Sequence, residues 1–191
     1  MTDPFAGERL QFFLRNREDI RTWAAIESEV VAATRELLAG AQVAIAERIA
    51  EVDPTAVTSR HDDRQWERIL VRRPGWPAAV GLALEWNRSV DPSGANRPKV
   101  GVFWWADPPM LELPRARLVS LVDQPKLQML GYKVPLGGVW PVGAMVQPTA
   151  DWWKNAAGWL DGIVARLVGA WPLVAPNIDE ALAGEPGVSG G

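Results

Sequence analysis

Residues 79–87 read AVGLALEWN, and this stretch decides the fold class. Larger apolar side chains alternate along it with small or polar ones, which is typical of a β-strand that has one buried face. The face predicted to be buried carries Val80, Leu82, Leu84 and Trp86. The opposite face carries Gly81, Ala83, Glu85 and Asn87. We therefore expect a strand in a sheet that other elements cover on one side.

Two further strands are predicted on either side of this one. Residues 66–73, WERILVRR, alternate around Ile69 and Val71. Residues 100–105, VGVFWW, follow a loop that is rich in turn-forming residues. Short strands joined by short connections favour an antiparallel meander over residues 66–105.

Helices are predicted towards both ends of the chain. Between residues 17 and 52 the apolar side chains recur at spacings of three and four, which places them on one side of a helix. A short helix precedes it, so residues 8–52 are expected to form a helical arm or hairpin with a bend at Gly40. A C-terminal helix is predicted over residues 149–171, because Pro172 interrupts the apolar pattern.

These elements together predict a single α+β domain over residues 1–182. Helices packed on one face of the sheet would make a two-layer arrangement. Residues 106–148 are rich in proline and glycine and are expected to be irregular, with short strands in 115–146 as candidate extensions of the sheet. The glycine-rich residues 183–191 are expected to form a disordered tail.

The composition excludes several classes of function. The 191 residues include no cysteine and one histidine, which rules out disulfides, thiolate chemistry and any site that needs two imidazole groups. The net charge of −3 gives no reason to expect nucleic-acid binding. No apolar run is long enough for a membrane span, and the first residues do not have the pattern of a signal peptide, so a cytoplasmic location is expected.

Motifs of common catalytic sites do not occur in the sequence. It contains no glycine-rich phosphate loop, no dinucleotide-binding fingerprint and no serine nucleophile elbow. The histidine, His61, has Ser59 and Asp62 as near neighbours in sequence, whereas a catalytic triad converges from separate elements. We therefore expect neither a cofactor nor a metal ion, and a non-catalytic interaction protein is the preferred interpretation.

Asp63, Glu85 and Asn87 form the set that most suggests chemistry. Carboxylate oxygens are ligands that Mg²⁺ prefers in proteins. The predicted order of elements is a long helix, three strands and a further helix, with Asp63 preceding the strand that carries Glu85. This order resembles that of nucleases of the PD-(D/E)XK type. The resemblance implies a divergent metal-dependent nuclease centred on Asp63 and Glu85, although Asn87 stands where those nucleases carry a lysine. The preferred alternative is that Glu85 pairs with a nearby arginine.

Tryptophan is unusually frequent, with 11 residues against one tyrosine and four phenylalanines. Adjacent strand residues point to opposite faces, so one ring of Trp104 and Trp105 must leave the face that the other occupies. Tryptophan is enriched at interaction sites because it buries a large area at low entropic cost. The predicted binding surface adds to this pair Trp66, Trp76, Trp140, Arg68 and Arg72. A protein partner or self-association is expected through this surface, and an indole-rich core is the alternative.

Overall fold

Five antiparallel strands form the sheet of the computed structural model, which describes residues 7–91, 96–105, 111–149 and 151–183. The strands lie side by side in chain order as β1 (Val57–Asp62), β2 (Trp66–Arg72), β3 (Val80–Asn87), β4 (Lys99–Trp104) and β5 (Val142–Met145). The alternation in β3 has the expected effect, since its larger apolar side chains are all fully buried. With the helices described below, the sheet confirms the α+β fold class.

The sheet is larger than the predicted three-stranded meander. β1 adds a strand before it, and its pairing with β2 sets His61 opposite Arg68. The sequence of β1, VTSRHD, is too polar for its alternation to indicate a strand. β5 adds a strand after it, with Gly143 opposite Gly101. This approach requires glycine, because a Cβ on Gly101 would lie 2.2 Å from the carbonyl oxygen of Val142.

Helices occupy both ends of the chain and part of its middle. Among the described residues they are α1 (Glu8–Arg15), α2 (Arg17–Val52), α3 (Glu112–Leu121), α4 (Gln124–Met129) and α5 (Ala156–Ala183). β5 is the short strand expected within residues 115–146, whereas the expectation that the rest of 106–148 is irregular is wrong, because α3 and α4 lie there. Pro114 and Pro125 fall in the first turns of these two helices, where the missing N–H breaks no hydrogen bond within the helix.

The C-terminal helix differs from the predicted one at both ends. A 3₁₀ turn over Trp152–Asn155 precedes α5, and α5 then continues through Pro172 and Pro176. The residues that α5 buries beyond Pro172 are Val174, Ala175, Ile178, Ala181 and Leu182. Burial of this apolar side outweighs the hydrogen bonds that the prolines remove. Of the predicted tail 183–191, Ala183 ends α5 and the remainder lies outside the described residues.

The core lies between the sheet and the helices. α2 contacts β1 and β2, α5 contacts β3 and β4, and α3 packs on α5. We call this side of the sheet the helix face. The fully buried side chains of the core on this side include three indoles, those of Trp86 and Trp104 from the sheet and that of Trp171 from α5. The opposite side, which we call the outer face, carries a smaller buried cluster of Leu70, Ala83, Phe103 and Trp140.

The first part of the helical region lies away from this core. α2 is one continuous helix of 36 residues, about 54 Å long, without the predicted bend at Gly40. A glycine inside a helix costs only about 1 kcal/mol, and buried neighbours hold this part of α2 on the sheet. The first buried residue is Thr34, and none of residues 7–33 is buried. We call residues 7–33 the arm.

Within the described part of the chain, no helix combines the length and the apolar character needed to cross a membrane.

Candidate functional site

A shallow groove of about 410 Å³ lies on the outer face of the sheet. Its lining residues are His61, Asp63, Arg68, Leu70, Ala78, Ala79, Phe103 and Trp105. Leu70 and Phe103 are buried and form the floor, whereas Trp105 is 50% exposed and lies at the rim. We call this feature the outer groove.

Strand pairing brings the polar residues of the outer groove together. His61 of β1 lies opposite Arg68 of β2, and Arg68 lies opposite Glu85 of β3. The guanidinium of Arg68 is 4.0 Å from the centroid of the Phe103 ring, which is within the range of a cation–π contact. Trp140 meets the same ring edge-on, with the two centroids 5.7 Å apart. Arg68 is therefore held over an aromatic floor.

Glu85 is the buried acid of this region, with an exposed fraction of 4%. Its Oε2 accepts a hydrogen bond from Nε of Arg68 (3.0 Å) and forms an ion pair with Nη2 of the same guanidinium at 2.8 Å. Burial raises the pKa of Glu85, and the positive charge of Arg68 opposes that shift. The carboxylate is thus paired with an arginine, which is the role that sequence analysis preferred for it.

Asp63 lies in the turn between β1 and β2. Its Oδ1 accepts hydrogen bonds from the backbone N–H groups of Trp66 (2.6 Å) and Gln65 (2.9 Å). These two bonds are the main reason why the pKa of Asp63 is lowered. Its Oδ2 is 3.9 Å from Nη2 of Arg68, so Asp63 and Glu85 converge on the same guanidinium.

Asn87 does not join this pair of acids. Its Oδ1 accepts hydrogen bonds from the backbone N–H (2.8 Å) and the hydroxyl group (2.7 Å) of Ser89, so its amide oxygen caps the turn after β3. Across the described ranges, no group of three or more His, Asp or Glu side chains is arranged to hold a metal ion. Of the nuclease-like set, the fold therefore brings two members together, and both face an arginine.

Three of the tryptophans predicted to form a binding surface are buried, which corrects that prediction. Trp104 lies on the helix face, where its Nε1 donates a hydrogen bond to the carbonyl oxygen of Leu111 (3.0 Å). Trp76 donates from Nε1 to Oδ1 of Asp179 (2.6 Å), and Trp140 packs into the outer-face cluster. A position near a turn did not indicate exposure, because these connections fold back over the sheet or against α5.

Trp105 and Trp66 remain accessible. Trp105 is half-exposed while its neighbour in sequence is fully buried, which confirms that the two rings leave β4 on opposite faces. Trp66 is half-buried, and Nζ of Lys99 lies 4.9 Å from the centroid of its ring. Arg72 is outside the outer groove and donates from Nη1 to the carbonyl oxygen of Trp76 (3.2 Å). Trp105 and Arg68 are therefore the predicted surface residues that meet in the groove.

A buried polar cluster that sequence analysis did not identify lies where α2 meets α5. Asp53 accepts hydrogen bonds from the backbone and hydroxyl groups of Thr55, from Nε of Arg73 (2.7 Å) and from Nε1 of Trp171 (3.2 Å). These hydrogen bonds lower the pKa of Asp53 to about 2, and the bond from the Thr55 hydroxyl group has the largest effect. Arg73 also pairs with Asp179. Two of these partners lie 20 and 118 residues from Asp53 along the chain, so no local pattern could reveal the cluster.

Comparison of the chain with family models, with curated proteins and with solved structures finds no match in any of the three. A functional interpretation therefore depends on the geometry of the outer groove and of the arm.

Proposed function

We propose that the chain is a non-catalytic binding protein that receives an extended segment of a partner protein on its outer face. The observation that carries the proposal is the half-exposed ring of Trp105 at the rim of the outer groove, next to the apolar floor. A large exposed aromatic side chain beside a buried apolar surface is the usual composition of an interaction hot spot. We include a cytoplasmic location in the proposal.

Among the described residues, the edge of β1 that faces away from β2 pairs with no other strand, and this edge is the reason for proposing an extended segment. In the sheet order β1 is an end strand whose ladder partner is β2. An extended peptide can add to such an edge through main-chain hydrogen bonds, and alternate side chains then point towards one face of the sheet. His61 of β1 lines the outer groove, so side chains of a segment on this edge that point towards the outer face would lie next to His61, at the border of the groove.

The geometry of the acids supports a non-catalytic role over the nuclease-like alternative. Glu85 is buried against Arg68, and Oδ1 of Asp63 is used by two backbone N–H groups. A metal ion would have to displace Arg68 from both carboxylates before it could use them together. The alternative is kept because the two acids do converge, and binding of a divalent metal ion by the folded chain would distinguish it from the binding protein.

Selection from a random peptide library displayed on phage tests the proposal. Peptides enriched on the wild-type chain should contain a large apolar side chain and should bind Trp105→Ser at least about 30-fold more weakly, which corresponds to about 2 kcal/mol at a hot spot. The matched control is Trp153→Ser, since Trp153 is 59% exposed and lies outside the groove. This control should bind the same peptides as the wild type. Failure to enrich any peptide, or equal binding by Trp105→Ser, would overturn the proposal.

A further inference from the structure

The arm exposes more large apolar side chains than any other part of the described chain. Those that are about half-exposed or more are Leu10, Phe12, Phe13, Leu14, Trp23, Ile26 and Val30. Phe12 and Trp23 reach 62% and 64% exposure. Contiguous exposed apolar surface of this kind usually marks an interaction site.

The apolar side of the arm continues the side of α2 that packs against the sheet. The buried residues of α2 are Thr34, Leu38, Ala41, Ile45 and Ile49. Ile20, Trp23 and Val30 extend the same spacing of three and four towards the N-terminus. Arg35 donates from Nε to Oε1 of Glu67 (2.6 Å), which attaches α2 to β2 at the point where the arm begins. N-terminal to Thr34, the described part of the chain leaves this apolar stripe along the helix uncovered, since none of residues 7–33 is buried.

We propose that the arm pairs with the arm of a second copy of this chain, antiparallel and around a two-fold axis. A two-fold interface uses the same patch on both copies, and an apolar stripe along a helix is self-complementary in that sense. The exposed parts of Phe12, Phe13 and Trp23 amount to roughly 350 Å², given that an aromatic side chain buries about 150–250 Å². A specific interface takes about 600–1,000 Å² from each partner, and the exposed aliphatic side chains bring the apolar area of the arm to the lower part of that range.

The junction between α1 and α2 offers a place for side chains of the second copy. A groove of about 820 Å³ lies there, and its apolar lining consists of Phe12, Phe13 and Ile20. In an antiparallel pair centred near residue 25, Ile20 of one copy faces Val30 of the other. The first turns of the arm then pack against the second copy near the point where its own α2 reaches the sheet.

The charges of the arm favour the antiparallel direction. Residues 8–21 carry four arginines and three acids, whereas residues 22–33 carry two acids, Glu27 and Glu29, and no base. Glu27 lies within the apolar stripe, four residues after Trp23 and three before Val30. A parallel pair would set Glu27 against its own copy, which like-charge repulsion disfavours. An antiparallel pair centred near residue 25 sets Glu27 opposite Trp23 and Glu29 opposite Arg21 of the second copy instead.

Sedimentation equilibrium of the full chain tests the pairing. The wild type should have twice the 21.0 kDa mass of one chain, and the double variant Phe12→Ser, Trp23→Ser should have the mass of one chain. Neither side chain is buried in its own chain, so the variant should keep its circular dichroism spectrum. The controls Trp153→Ser and Trp105→Ser should remain dimeric, since both exposed rings lie outside the arm. A monomeric wild type, or a double variant that stays dimeric, would overturn the proposal.

The absence of cysteine allows a clean test of direction. A single cysteine introduced by Ala24→Cys lies near the proposed two-fold axis, so a short bis-maleimide should link the two copies efficiently. The control Arg9→Cys places the thiols at opposite ends of an antiparallel pair, tens of Å apart at about 1.5 Å per residue. It should give no linked dimer. Equal linking of both variants would show parallel arms and would overturn the antiparallel pairing.

Discussion

The two faces of the sheet use alternate residues of the same strands, yet they have different chemistry. On the helix face β3 contributes Val80, Leu82, Leu84 and Trp86, all fully buried on the side where α5 contacts the strand. On the outer face the same strand contributes two small residues, a buried acid and an amide. A face that long helices cover has to be apolar throughout, whereas a partly covered face can combine glycine, ion pairs and an exposed ring. Under the proposed function, the helix face stabilises the fold and the outer face of the same sheet binds the partner.

The largest effect is expected from a charge placed on the helix face. Leu82 is fully buried between Val71 and Val102 of the neighbouring strands, so Leu82→Asp should abolish folding by burying an unpaired carboxylate. His61→Asp places the same charge at an exposed outer-face position and should change the free energy of unfolding by less than about 1 kcal/mol. Circular dichroism and urea titration measure both. A soluble, cooperatively unfolding Leu82→Asp protein would show that this assignment of faces is wrong.

Trp104, the last residue of β4, and Trp105, which follows it, provide the closest comparison of the two faces. Trp104→Ser should lower the free energy of unfolding by about 3–5 kcal/mol, because it removes a buried indole and leaves a cavity. Trp105→Ser should cost less than about 1 kcal/mol, because half of that ring is exposed. Denaturant titrations of the two variants give both values. Similar losses in the two variants would mean that both rings belong to the core.

A smaller effect is expected from acid, through the buried carboxylate of Asp53. Its pKa of about 2 in the folded chain is below the ordinary value of 3.8, so its stabilising contribution is present above pH 4 and is lost as the pH falls towards 2. The contribution corresponds to about 2 kcal/mol. The difference in the free energy of unfolding between wild type and Asp53→Asn should therefore shrink over this range. Glu85, whose pKa is raised, changes the free energy of unfolding of both proteins in the same way, so it does not affect the difference between them. A difference that does not depend on pH would contradict the prediction.

No effect is expected when Mg²⁺ or Mn²⁺ is added at millimolar concentration. A ligand that binds the folded state would raise the melting temperature by mass action, but the outer-face acids are paired with Arg68. Thermal melts with and without each ion give the answer. A rise in melting temperature that disappears in both Asp63→Ala and Glu85→Ala would favour the nuclease-like alternative over the binding protein.

Sequence analysis was most successful where the structure follows from short-range alternation. The strand around Leu82 and the long helix from residue 17 to 52 follow from regular spacing of apolar side chains. β1 and α3 were missed, because the former is polar and the latter carries a proline in its first turn. For the candidate site, the sequence indicates Asp63 as part of the nuclease-like set, and Arg68 and Trp105 as part of the predicted binding surface. Only the fold shows that they line one groove.

The sequence by itself determined the α+β class, the exclusion of cysteine chemistry and the opposite directions of Trp104 and Trp105. These follow from composition and from the geometry of adjacent strand residues, which need no knowledge of the rest of the chain. Tertiary structure alone decided which of the two rings is buried, that Arg68 pairs with Glu85, and that none of the residues of the arm is buried. The physical reason is distance along the chain. Periodicity acts over a few residues, whereas burial and ion pairing depend on which distant elements come to lie on each face.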